Sequence, residues 1–424
     1  MWSARRYTPP YFPPTTTGAQ RVGHCGYRSL ADKDRALAEI EIGIGKSGRQ
    51  AYGFDDIAIV PSRRTRDPHD VDVSWQIDAY EFELPLLGAA MDGVSSPRSI
   101  IELGRLGGLG VLNLEGLWIR YDDPDPLLAE IAELDSTVAT ARMQEIYKQP
   151  MDADLIGQRI GELKAAGIVT AASLTPQRVA QYHDVALSAG LDILVIQGTV
   201  VSAEHVSSRE EPLNLKEFIA RYDIPVIVGG CASYASALHL ARTGAAGVLV
   251  GVGPGNACTT RGVLGIGVPQ ATAIADAAGA RRRHLEETGR YVQIIADGGM
   301  RTGGDVAKAI ACGADAVMLG SPLARSSEAP GHGYHWGMAT FHPDLPRGAR
   351  VEVGAIGSLR EILEGPAGQN DGTLNLFGAL RTSMATCGYA SIKEFQRAEV
   401  LVAPSLQTEG KHYQRQQGVG MGRR

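Results

Sequence analysis

A thiol stands on a stretch of backbone suited to close approach. Cys258 lies in the run Gly251-Val252-Gly253-Pro254-Gly255-Asn256-Ala257-Cys258-Thr259-Thr260-Arg261, directly after the apolar stretch Ala246-Gly247-Val248-Leu249-Val250. Glycines at 251, 253 and 255 with Pro254 exclude a helix interior or an ordinary strand. The run reads as a loop that can approach a ligand closely. A thiol there, followed by two hydroxyls and a guanidinium, has the make-up of a positioned nucleophile rather than of a small hydrophobe in a turn. The thiolate is the reactive form, and a nearby cation or aligned amides favour it.

Two further runs carry chemistry. Ile294-Ile295-Ala296-Asp297-Gly298-Gly299-Met300-Arg301 precedes a helical pattern at Gly304, and Val317-Met318-Leu319-Gly320-Ser321 follows one unit later. Taken alone, the first is a tight turn. Together they suggest a phosphate site, because amides at glycine turns and short helix starts point at anions. Asp297 is placed to accept ribose hydroxyls. No GxGxxG with a following acidic residue occurs, so any dinucleotide is not held by a Rossmann fold.

Eight apolar runs position these residues: 84–91, 109–114, 169–174, 193–196, 225–229, 247–250, 292–296 and 316–320. They are continuous rather than alternating, as expected of parallel strands buried on both faces. Helical patterns lie between them. One opens with Thr175 as a cap and Pro176 at the first position; another runs from Gly304 and ends on Gly313. Eight strand-then-helix units predict an α/β fold, a (β/α)8 TIM barrel. Met91, Gly230, Cys258, Asp297 and Gly320 then fall at strand C-terminal ends, where such barrels do their chemistry. Residues 1–38 read as a loose N-terminal tail, 39–415 as one barrel domain, and 416–424 as a C-terminal tail. Within the domain, 330–415 reads as a flap and an appendage, amphipathic over 374–395, that closes over the barrel mouth or packs on a neighbouring subunit.

Composition narrows the partners. A net charge of −6 with no basic stripe argues against nucleic acid. Arg281-Arg282-Arg283 reads as a solvated helix end. Five widely spaced cysteines (Cys25, Cys231, Cys258, Cys312, Cys387) predict reduced thiols and a cytoplasmic setting. Cys231 ends the fifth strand and is expected to face the pocket; Cys312 and Cys387 read as packing. His332, His335 and His342 lack the spacing of a metal site. No run reaches the ~18 apolar residues of a membrane span, and the first residues lack a signal-peptide core.

The run from Gly253 to Arg261, with Gly265-Ile266-Gly267-Val268-Pro269-Gln270, resembles the catalytic-loop signature of the IMP dehydrogenase/GMP reductase family. The same family pattern is seen in Phe54-Asp55-Asp56-Ile57, Ala89-Ala90-Met91-Asp92, Asp297-Gly298-Gly299, Met318-Leu319-Gly320-Ser321, Glu328-Ala329-Pro330-Gly331 and Gly337-Met338. The regulatory CBS pair of typical IMP dehydrogenases would follow the second strand. Only residues 115–168 lie there, too few for it, so the chain looks most like the CBS-less bacterial relatives.

The resemblance implies that the Cys258 thiolate adds to C2 of a purine, with a covalent thioimidate and hydride exchange with a nicotinamide. It implies oxidation of IMP to XMP with NAD, or alternatively reduction of GMP to IMP with NADPH; a weakly active purine-nucleotide sensor is the third reading. The ligand is then a purine nucleoside 5′-monophosphate (IMP, XMP or GMP). Thr260 would help position water or ammonia. Asn256, Gly298, Gly299, Gly320, Ser321 and His335 would bind the 5′-phosphate end, and Asp297 the ribose. Gly337, Met338 and Ala339 would contact the base, with Met91 packed against the ligand. Gln197, Gly198, Gly251 and Gly253 would border the cofactor, NAD or NADP. Carbonyls of Gly253, Gly255 and Cys258 would bind a monovalent cation such as K⁺. A homotetramer is implied.

Departures are also legible. The family Asp that meets the cofactor is Gln197 here, an Asn after the fifth strand is Gly230, and a phosphate-binding Tyr is His335. Residues 340–350 replace a long mobile flap and lack its water-activating Arg-Tyr pair; where GMP reductases carry a catalytic Glu, Arg347 stands. Arg347 or Arg350 is expected to take over that role. Lys411 replaces a glycine of the family's cation-binding tail, so its ammonium is expected to substitute for the ion.

Overall fold

The computed structural model describes residues 39–208, 211–403 and 409–423. The expected N-terminal tail, with Cys25, lies outside the described residues. The chain divides into a unit up to Gln50 and a unit from Ala51 to Arg424. In the first, Glu39–Gly43 and Lys46–Arg49 form an antiparallel hairpin.

In the second, eight parallel strands close a barrel: β1 (Leu86–Gly88), β2 (Leu109–Asn113), β3 (Ala171–Leu174), β4 (Ile193–Gln197), β5 (Val226–Cys231), β6 (Gly247–Val250), β7 (Gln293–Asp297) and β8 (Ala316–Leu319). Each expected apolar run supplies one strand, and neighbours in sequence are neighbours in the barrel. Closure comes from β8 on β1, with Val317 opposite Leu86. The fold is a (β/α)8 barrel.

The wall helices are α1 (Pro97–Arg105), α2 (Asp125–Glu133), α3 (Ser136–Ile146), α4 (Ala153–Ala165), α5 (Pro176–Ser188), α6 (Leu215–Arg221), α7 (Tyr234–Ala241), α8 (Thr260–Leu264), α9 (Gln270–Thr288), α10 (Gly303–Ala311) and α11 (Ser321–Ala324). Then follow α12 (Leu359–Leu363), α13 (Leu376–Thr386), α14 (Ile392–Phe395) and α15 (His412–Gln417). None of the described helices is long and apolar enough to cross a membrane. Local chemistry sets several starts. Ser96 caps α1 ahead of Pro97, and Thr302 with Asp305 forms a capping box on α10. Thr175 does stand at the start of α5, but its hydroxyl makes no cap bond; the Glu115 carboxylate instead accepts its N–H at 2.6 Å.

Strand residues alternate between two cores. Leu87, Val111, Ile193, Val195, Ile227, Leu249, Ile295 and Met318 fill the barrel, while Leu86, Leu112, Leu194, Val228 and Val248 face the helices. A hairpin, Trp75–Ile77 with Tyr80–Phe82, plugs the bottom; Ile77 Cδ1 comes within 3.3 Å of where a Cβ on Gly247, the first residue of β6, would sit. Cys231 packs in the outer core, not the pocket, and burial pushes its thiol up to about 12. Cys387 is buried, with Sγ 3.5 Å from the Val60 carbonyl.

Two further expectations need correction. Arg281 is not a solvated helix end: it sits mid-helix in α9, bonded at 2.7 Å to buried Asp315 and stacked on Tyr291. Three consecutive arginines on a helix point about 100° apart, so one of them can face inward. The amphipathic stretch 374–395 forms two helices, interrupted where Gly388 takes φ +77°. Its first helix, α13, packs on α10 at the outer wall rather than over the mouth. A Cβ on Gly303 would collide with Ala379 and lie 2.9 Å from the Leu376 carbonyl. At the far end, α15 runs to Gln417 and Gly420–Arg423 forms a 3-10 turn.

Candidate active site

One cavity of about 740 Å³ opens at the C-terminal ends of the strands. Every expected site residue borders it except Arg350 and Lys411.

The loop after β6 presents Cys258. Gly253 takes φ +79°, and a Cβ there would lie 2.7 Å from Arg261 Cγ, so only glycine allows the turn. Cys258 N–H donates to the Gly255 carbonyl at 3.0 Å, and its Sγ lies 3.2 Å from buried Thr260 Oγ1. The loop is stitched to the short flap. Cys258 bridges Gly348, Thr259 N–H donates to the Arg347 carbonyl at 3.2 Å, and Ala349 N–H donates to the Ala257 carbonyl at 2.8 Å. The thiol is thus held from both sides and open to the cavity.

Asp297 ends β7, half-buried at the edge of the cavity. Gln197 Nε2 donates to Oδ2 at 3.1 Å, yet burial pushes the carboxyl up to about 6. Gly298 and Gly299 follow with φ +78° and +81° and turn the chain against Pro254. Beyond them, Ser321 Oγ accepts from Asn256 Nδ2 at 3.1 Å and lies 2.9 Å from His335 Nε2. His335 is buried, its Nδ1 has no partner among the described residues, and burial lowers its pKa to about 4. Met91 Sδ comes within 3.1 Å of where a Gly320 Cβ would sit. Glycine amides, a hydroxyl, an amide and a neutral imidazole offer the donors that an anion needs.

The opposite wall escaped sequence reasoning. Glu115, Arg120, Thr175, Pro176, Gln177, Thr199, Val200, Phe341 and His342 also border the cavity. Much of this wall depends on residues 115–168. There Tyr147 stacks on Phe341, with ring centres 3.4 Å apart, and Gln144 Nε2 donates to the His342 carbonyl at 3.1 Å. Beneath them, Trp336 Nε1 donates to Tyr147 Oη at 2.8 Å and Tyr147 donates to buried Asp92 at 2.6 Å. Burial raises the Asp92 carboxyl to about 6 despite that bond. Asp92 stood in a quoted motif, but nothing in the sequence linked it to Tyr147.

The two flap arginines part ways. Arg347 borders the cavity; Nη1 bonds its own loop at Leu345, and Nε has no partner among the described residues. Arg350 is turned away. It donates to the Ile131 and Ala132 carbonyls at 2.9 Å and to Leu134 at 2.5 Å, and lies over Tyr334. It closes the end of α2 and cannot reach the thiol. Gln197 borders the cavity with its amide engaged by Asp297. Gly230 stays a glycine for a steric reason: a Cβ there would lie 2.6 Å from the Gly251 carbonyl oxygen. Among the described residues, no group of three or more His, Cys, Asp or Glu side chains could hold a metal. Lys411 leads into α15.

The IMP dehydrogenase / GMP reductase domain matches residues 51–340. A protein of Mycolicibacterium smegmatis named an uncharacterized oxidoreductase is 50% identical over 373 residues, covering 86% of this chain and 99% of the relative. Inosine-5'-monophosphate dehydrogenase of Escherichia coli is 30% identical, over 82% of this chain and 92% of its own. The crystal structure of an IMP dehydrogenase/GMP reductase-like protein from Corynebacterium glutamicum superposes with a TM-score of 0.83 at 47% identity, covering 88% of this chain and all of that one. The chain belongs to the IMP dehydrogenase/GMP reductase family of oxidoreductases.

Proposed function

We propose that this protein acts at C2 of a purine nucleoside 5′-monophosphate, oxidising IMP to XMP with NAD. One observation carries this: the Cys258 thiol lies in a single cavity whose one end gathers Ser321, Asn256 and His335, with half-buried Asp297 on the same wall. A phosphate at that end and a ribose on Asp297 would bring the base toward the thiol. Relatives named inosine-5'-monophosphate dehydrogenase support the substrate class.

The Cys258 thiolate forms a bond to C2, and the C2 hydrogen leaves with its electron pair as hydride. A bound nicotinamide dinucleotide would accept that hydride, and Gly198, Gly251 and Gly253 would border it; the cavity continues past Cys258 toward Thr175 and Val200, which leaves room for it. The thioimidate stays on Cys258. Water then adds to C2, the sulfur–carbon bond breaks, and XMP leaves with one proton released. Thr260 orients that water, its proton passes to solvent, and the Arg347 guanidinium at the cavity edge stabilises the negative charge that develops on the attacking oxygen. The Gly253, Gly255 and Cys258 carbonyls would hold a monovalent cation. Gly255 already accepts the Cys258 amide, but a carbonyl has a second lone pair, so the set still fits. The active assembly would be a homotetramer.

One feature favours a second reading, reduction of GMP to IMP with NADPH. The short flap is tied to the catalytic loop, to Tyr147 and to Gln144, so it is not free to swing in and deliver water. In that direction the thiolate displaces ammonia from C2, hydride is delivered to C2 and the thiolate departs, with no water step. Absorbance of the reduced nicotinamide separates these. It rises with IMP and NAD⁺ in the first case and falls with GMP and NADPH in the second. No change in either mixture, with nucleotide still bound, would leave a nucleotide sensor.

A further inference from the structure

We propose that Gln197 is a positioning residue for the nucleotide: its side-chain amide holds the Asp297 carboxylate in place to receive the ribose. This rests on the purine-nucleotide reading and gives Gln197 a task other than meeting the cofactor.

The two side chains come from strand ends on opposite sides of the mouth, Gln197 from β4 and Asp297 from β7. Gln197 Nε2 lies 3.1 Å from Asp297 Oδ2 and 3.8 Å from Met318 Sδ. The Asp297 backbone is fixed separately, because Gln270 Nε2 donates to both its carbonyl and that of Val250. Gln270 therefore sets where Asp297 starts, and Gln197 sets where its carboxylate ends. Oδ1 has no donor among the described residues and remains for a ligand. Among the described residues, the hydrogen bond to the Asp297 carboxyl comes from the uncharged Gln197 amide; Met318 Sδ touches that amide, and Gln270 bonds the Asp297 main chain rather than its carboxyl. Desolvation and the Gln197 bond are what act on its titration.

A vicinal diol binds best to an ionised carboxylate, which accepts from both hydroxyls. Burial opposes that ionisation. A neutral amide donor supports the charged form without adding a competing ion. A carboxylate at position 197 would do the reverse and repel Asp297. Gln197 thus fits a site in which the ribose is held by one half-buried anion.

The test compares wild type with Gln197→Leu and the near-isosteric Gln197→Glu. Calorimetry with IMP and with GMP, in the absence of cofactor, reads nucleotide affinity. Steady-state kinetics against pH read KM for each substrate. Carbon-13 titration of the Asp297 carboxyl in ligand-free protein reads the coupling itself. Gln197→Leu should weaken nucleotide binding about tenfold, the scale of a bond to a charged group, while cofactor KM moves less than about twofold. The acid limb of nucleotide kcat/KM and the Asp297 midpoint should both move to higher pH, and further in Gln197→Glu. Unchanged nucleotide affinity, or a rise confined to cofactor KM, would overturn the proposal. An unmoved Asp297 midpoint with normal turnover would also overturn it while sparing the purine reading. A moved midpoint in a protein that binds neither IMP nor GMP would sink the purine reading instead, and the ribose role with it, leaving only the side-chain coupling.

Discussion

The wall of the cavity after β6, β7 and β8 and the wall facing it are built by different means. The first is made of short loops. Gly253, Gly298 and Gly299 adopt positive φ, and Asn256, Ser321 and His335 converge within hydrogen-bond distance. The second is braced from behind by contacts across long sequence separations: Tyr147 with Phe341, Gln144 with His342, Arg350 with Ile131. The first wall thus holds the parts proposed to do chemistry, while the second sets how the flap lies against them. The contrast teaches that these two tasks can be varied separately.

Mutations that keep to one wall measure this division. The largest effect belongs to the thiol. Cys258→Ser should lower turnover by about a thousandfold or more while nucleotide affinity stays near wild type, because the lost term is the covalent step. Retained turnover would remove the nucleophile from the mechanism. Next come the paired flap variants. Arg347→Ala should slow thioimidate hydrolysis by about a hundredfold in a quench measurement. Arg350→Ala should instead lower stability by about 1–3 kcal/mol, seen in Tm, because it strips donors from the end of α2. Equal hydrolysis in wild type and Arg347→Ala would exclude the guanidinium from that step.

The smallest effect tests His335. Burial holds its folded pKa at about 4, below the ordinary 6.5. Between those values the unfolded chain binds a proton that the folded chain refuses, so this group costs stability as pH falls from 6.5 toward 4. Asp92 and Asp297, raised to about 6, act in the opposite sense as pH falls from about 6 toward 3.8. Comparison with His335→Gln cancels the carboxylates. On going from neutral pH to about pH 5, the variant should lose about 2 kcal/mol less than wild type, read from Tm against pH. Parallel curves would show that His335 titrates normally.

The same contrast explains what could be read without a structure. Cys258, Asp297-Gly298-Gly299 and Gly320-Ser321 were legible because each depends on a few neighbouring residues with constrained backbone. The eight strands were legible because strands covered on both faces leave unbroken apolar runs. Tyr147, Phe341 and Gln144 carried no local signal; their significance lies in a pairing made only when the barrel closes. Arg350 and Arg281 show the converse. A guanidinium three residues from Arg347 looked catalytic, and one in a basic run looked solvated, yet distant carbonyls and Asp315 hold them.

The stitching of Cys258 to Gly348 has a wider consequence. Tyr334–His335 pairs with Val351–Glu352, and the loop between them leans on α3 through Phe341. A ligand wedged between that ring and Tyr147 would disturb the sulfur through main-chain contacts alone.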